Sequence, residues 1–160
     1  MLTKQARLFL SLTAAAPLML AGCTDNNVFN PQNEAAGTYH MTVFDSKGVP
    51  VTYVYQQGDA NFPNGGTTVV RDGTLVLNSN GTFIETNNFE DTPTGQNTTT
   101  RQFVSSGTWS LNQNDFSLSD PSRGRQIFGT IIEDINGVLT VNYTEDNGGG
   151  TFTGYEYKRD

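Results

Sequence analysis

Few side chains in this chain carry chemistry that a sequence alone can point to. Cys23 is the single cysteine and His40 the single histidine among 160 residues. A lone cysteine serves as nucleophile, metal ligand or attachment point, but it cannot close an internal disulfide. A lone histidine offers a general base or a ligand, yet catalytic triads and zinc sites need partners that this chain lacks. His40 alternates with Tyr39 and Met41 in a strand-like run and is expected to face solvent. Carboxylates are plentiful, at 16, so an acid pair of the glycosidase kind needs weighing. Glu85 and Glu156 are its candidates, since Glu85 shares a phase with Phe83 and Glu156 with Phe152. Both are expected to be solvated at a rim or on the surface. Turns such as "EDNGGG" bring oxygen ligands together without the spacing of a calcium loop, and turn chemistry accounts for them. The expectation is no catalytic residue, no metal, no cofactor and no enzyme.

The setting of Cys23 decides between its roles. Residues 1–7, "MLTKQAR", carry two positive charges and no acid, and residues 8–20, "LFLSLTAAAPLML", are almost wholly apolar. That run is shorter than the roughly 20 residues needed to span a bilayer. Its charge, length and order are those of a secretory signal peptide. It closes on Leu20-Ala21-Gly22-Cys23. This "LAGC" resembles the lipobox of bacterial lipoprotein signals at all four positions. The resemblance implies cleavage between Gly22 and Cys23 and a lipid thioether on the Cys23 sulfur, leaving residues 1–22 as signal peptide. One acyl chain anchors only marginally and two or three hold firmly. Residues 23–36 are then the lipidated cysteine and a polar, flexible tether with a reach of roughly 20 Å. Position 24 is Thr rather than Asp, which in Gram-negative lipoproteins leans toward the outer membrane, facing the periplasm.

The bulk composition limits what the remainder does. The formal charge is −7, and without Lys4 and Arg7 the balance becomes 7 basic against 16 acidic residues. So acidic a chain repels phosphate backbones, and nucleic-acid binding is not expected. With 10 Phe, 6 Tyr and one Trp the chain is too aromatic for disorder. The 124 residues from Gly37 suffice for one self-supporting core, and a monomer is expected.

Strand-like runs alternate with turn clusters throughout residues 37–160. "GTLVLNSNGTFIET" places Leu75 and Leu77 on one face, turns through Asn and Gly, and returns on Phe83. Such turns need positive φ, which Asn and Gly tolerate. "GTWSLNQNDFSLSD" and "TIIEDINGVLTVNY" repeat this logic. The pattern predicts strands near 37–44, 50–56, 67–78, 81–89, 98–111, 115–119, 125–134, 137–144 and 150–159. Eight or nine sequential antiparallel strands form an up-and-down meander, and closure into a β-barrel removes its edges. Six strands open Gly-Thr-apolar, at Gly37, Gly73, Gly81, Gly107, Gly129 and Gly150, which reads as turn chemistry reused.

This layout, from "GTYHMTVFDSKGVPV" to "GTFTGYEYKR", resembles bacterial lipoproteins with a lipocalin-like domain. The resemblance covers roughly residues 36–160. It implies an all-β, 8–9-stranded lipocalin-like barrel, with Gly37-Thr38-Tyr39 in the place of the lipocalin Gly-x-Trp and Arg159 as the candidate Arg over that ring. Tyr39, Met41, Phe83, Trp109, Phe116, Tyr143, Tyr155 and Tyr157 are candidates for the interior, either filling it or lining an apolar pocket. Residues 56–66 and 88–100 are expected to be long mouth loops, with Phe62 as a lid or exposed contact. Two functions remain open: an anchored barrel that binds a small hydrophobic ligand, or an envelope interaction module, inhibitor or assembly factor, with a filled barrel.

Overall fold

A computed structural model describes residues 31–160 except Gly149. The expected signal peptide, Cys23 and most of the tether lie outside the described residues. Ten strands follow one short helix, α1 (Pro31–Ala35): β1 (Gly37–Phe44), β2 (Lys47–Gly48), β3 (Val51–Gln57), β4 (Asn64–Leu77), β5 (Thr82–Pro93), β6 (Thr99–Asn112), β7 (Asp115–Asp120), β8 (Arg125–Glu133), β9 (Leu139–Asp146) and β10 (Phe152–Arg159). From β4 to β10 each strand pairs antiparallel with the next. β1 pairs with both β10 and β4, so Tyr39 sits between Arg159 and Leu75. The result is a closed eight-stranded antiparallel barrel. β2 and β3 are additions, beside β1 and β4 respectively.

Alternation and turn chemistry produce these strands. In β5, Phe83, Glu85 and Asn87 are buried while Thr82 and Ile84 are exposed. The β4–β5 turn closes when Gly81, at φ +81°, donates to the Asn78 carbonyl and Asn80 accepts from the Thr82 amide. Gly150 has φ +78° in the last hairpin turn. The same Gly-Thr pair has another role inside β4, β6 and β8. A Cβ on Gly107 would lie 2.0 Å from the Ser119 carbonyl oxygen, and one on Gly129 would lie 2.1 Å from that of Asn142. These glycines let neighbouring backbones approach closely. The expected loop at 88–100 is also mostly strand. β5 runs to Pro93 and β6 begins at Thr99 because Arg101 stacks on Phe89, 4.4 Å from its centroid, and pairs with Asp91 across the ladder.

One end of the barrel is closed. Tyr39, Leu77, Phe83, Trp109 and Phe116 are all at most 3% exposed. The last turn of the segment read as tether is α1, seated across this end. The Tyr39 hydroxyl donates to the Ala35 carbonyl at 2.6 Å, Gln32 donates to that of Trp109 at 3.2 Å, and Arg159 donates to that of Glu34 at 2.6 Å. The Trp109 indole N–H is satisfied by the Asn78 carbonyl at 2.9 Å. Burial pushes the Tyr39 pKa up, and the adjacent Arg159 pulls it part of the way back.

Candidate functional site

Above the closed end the interior changes from apolar to charged. Glu85 is 0% exposed, not solvated as its sequence context suggested. Its carboxylate accepts from the Arg125 guanidinium, the Tyr143 hydroxyl, the Tyr157 hydroxyl and the Asn87 amide. Arg125 also grips Glu145 with two parallel N–H donors, at 2.7 and 2.9 Å. Burial alone would lower the pKa of Arg125, but Glu145 and Glu85 outweigh it and hold the guanidinium more firmly charged than usual. Beside this cluster the buried Asp120 accepts from the hydroxyls of Ser122 and Ser105 and from two backbone amides. Among the described residues every buried side-chain nitrogen and oxygen has a partner. The layer is therefore satisfied and rigid, as a buried polar network must be.

A ladder of rings connects this layer to the open end. Tyr143, Tyr155 and Tyr157 lie nearly parallel, with centroids 4.8 to 6.4 Å apart. Tyr155 meets Phe44 edge-on at 5.2 Å, and Phe44 in turn meets Tyr53 and Phe89 edge-on at 6.0 and 6.2 Å. Of these rings, Phe44, Tyr53 and Phe89 line a cup of about 310 Å³, together with Asp45, Tyr55 and Arg101 among others. The cup sits where β1 and β4 part and β2 and β3 are inserted. A second hollow of about 400 Å³ shares Tyr55, Thr68 and Arg101 with it. The cup has room for a small ligand. Phe44, Tyr53, Tyr55 and Phe89 give the cup aromatic walls, and Asp45, Thr68, Arg101 and Thr153 supply as many polar groups.

The candidate residues divide accordingly. Tyr39, Met41, Phe83, Trp109, Phe116, Tyr143 and Tyr157 are buried and fill the barrel, while Tyr155 is half-buried against Phe44. Phe62 is not an exposed contact. It is 6% exposed because its ring stacks on Tyr55 at 4.6 Å, so it braces the mouth from inside. Glu156 points outward, accepting from the Thr42 hydroxyl at 2.6 Å, and so forms no pair with Glu85. His40 is exposed and contacts Asp160 at 3.0 Å. Sequence reasoning missed Phe44, Tyr53, Tyr55, Phe89 and Arg125. Phe44 and Tyr53 stand beside turns, and nothing local shows that both lean over the same opening. Among the described residues no group of three or more His, Cys, Asp or Glu side chains is placed to hold a metal ion, and no helix is long and apolar enough to cross a membrane.

No protein-family model matches this chain, and no curated protein matches it.

Proposed function

We propose that this chain is a lipid-anchored envelope protein whose barrel binds a small, largely apolar ligand at its open end. The observation that carries the reading is the aromatic cup standing over a filled barrel. A ligand of the cup's size has walls of Phe44, Tyr53, Tyr55 and Phe89. The Glu85–Arg125 layer is buried and fully hydrogen-bonded, which favours a short ligand over a long acyl chain. The anchor rests on Leu20-Ala21-Gly22-Cys23 and its lipobox likeness. The placement of Arg159 beside Tyr39 at the closed end accords with the lipocalin-like resemblance.

The test uses the full chain in nanodiscs and the uncharged probe N-phenyl-1-naphthylamine. Saturable binding that Thr153→Trp abolishes supports the reading, because Thr153 lines the cup. No saturable binding, or binding that this variant leaves intact, refutes it. The anchor is tested separately. Cys23→Ala should abolish palmitate labelling and release the barrel from membranes, and an unlabelled wild-type chain would remove the anchor from the proposal. The filled interior favours a second reading, a module that acts on a protein partner. Capture of a single envelope protein that alanine changes at 56–66 abolish, with no probe binding, would favour it.

A further inference from the structure

The cup has a charge preference as well as a shape. Asp45 stands at its rim, half-buried, where its carboxylate accepts from the Tyr53 hydroxyl at 3.3 Å. Among the described residues it has no ion pair. The other charged side chain of the lining, Arg101, is neutralised by Asp91 at 3.0 Å. Beneath the cup, one guanidinium, Arg125, faces two carboxylates, Glu85 and Glu145. The layer beneath therefore carries one negative charge more than positive, while at the rim Lys47, over the Tyr53 ring, matches Asp45 in number without forming an ion pair with it.

The ring faces point the same way. Two of the cup's rings already hold cations of the chain itself. Lys47 Nζ lies 4.5 Å from the centroid of Tyr53, and the Arg101 guanidinium lies over Phe89. Aromatic faces with an unpaired carboxylate beside them form the combination that attracts organic ammonium groups, by ring quadrupole and by charge together. An anionic ligand would meet Asp45 at the rim and the excess carboxylate below, in a site of reduced dielectric where like charges repel strongly.

We infer that the cup selects a small organic cation, an aromatic or alkyl ammonium, with Asp45 as its counter-ion. This deepens the ligand-binding reading and rests on it. Three single-ring probes separate the two: benzyltrimethylammonium, benzyl alcohol and benzoate. Each is titrated calorimetrically against the full chain in phosphatidylcholine nanodiscs, with empty discs as the blank. The cation should bind at least about tenfold more tightly than either other probe. Asp45→Asn, which keeps the shape and tolerates the positive φ of 50° at this position, should erase that advantage. Benzyl alcohol or benzoate binding as tightly as the cation would overturn the charge inference and leave the ligand site standing. An undiminished cation preference in Asp45→Asn would overturn the role of Asp45. If no probe binds in a Thr153-sensitive way, the ligand reading and the inference fall together.

Discussion

The Glu85→Gln variant tests whether the buried carboxylate ties the upper barrel together. Glu85 is wholly buried, and the Arg125 side chain is only 8% exposed. Four donors converge on the carboxylate from four residues: Asn87 on its own strand, Arg125 on β8, Tyr143 on β9 and Tyr157 on β10. Glutamine keeps the shape and one acceptor oxygen, but its amide nitrogen must face a donor. At least one N–H or O–H then goes unpaired, at about 1–3 kcal/mol. Loss of the charge opposite Arg125 adds to this, and breaking a buried pair costs about 3–5 kcal/mol in general. Glu145 still holds Arg125, which places the sum near the low end, about 3 kcal/mol. In a domain of this size that lowers Tm by roughly 10 °C. The assay is urea unfolding followed by Trp109, the only tryptophan. The midpoint should fall with an unchanged m value. Glu156→Gln on the outer face is the control and should lose under about 1 kcal/mol. A Glu85→Gln loss as small as that of the control would refute the reasoning.

Four further outcomes follow from other parts of the barrel. Gly107→Ala pushes a methyl onto the Ser119 carbonyl and should destabilise by about 2 kcal/mol or more in the same urea assay. Gly154→Ala, with nothing within 4 Å of the new carbon, should be neutral or slightly stabilising. Burial first, and then nearby carboxylate charge, holds the pKa values of Tyr143, Tyr155 and Tyr157 above the ordinary value of 10.0. The unfolded chain therefore releases those protons first, so stability is intact below pH 10 and is lost as pH rises through the folded values. Absorbance at 295 nm should show these three ionising only with unfolding, and six tyrosines titrating together near pH 10 in a folded chain would contradict this. At the acid end, the Ser122 hydroxyl leads in lowering the Asp120 pKa below 3.8, joined by Ser105 and backbone amides against the effect of burial. That stability is present above about pH 4 and is lost as pH falls through the folded value. Asp120→Asn should flatten the acid limb of the stability curve.

The strands were legible because period-two alternation and Asn-Gly turns are local signals. The runs through Leu75 and Leu77, Phe116 and Leu118, and Val141 and Tyr143 locate β4, β7 and β9 within a few residues. Closure was legible only as a consequence of strand number. The interior polar layer was not, because a buried Glu85 and a solvated one look the same in sequence. The partners of its carboxylate include Arg125, Tyr143 and Tyr157, which are 40, 58 and 72 residues away. Gly107 misled for a related reason: a glycine required by close backbone approach has the same neighbours as one that ends a turn. Phe62 looked exposed because it sits among Asn, Pro and Gly, yet Tyr55, seven residues earlier, supplies a stacking partner.

The double pairing of β1 sets an order of assembly. Its two neighbours in the barrel, β4 and β10, both come later in the chain, and Tyr39 meets Arg159 only when the last residues are present. Six hairpins, from β4–β5 through β9–β10, can form as soon as their two strands exist, each closing a short loop. The first strand must wait, because its contact with the last closes a loop of nearly the whole domain, the most expensive closure in conformational entropy and the slowest to form. A nascent chain, or one shortened before β10, therefore has one side of β1 unpaired until β10 is present. The closing of this barrel reports that β10 is in place.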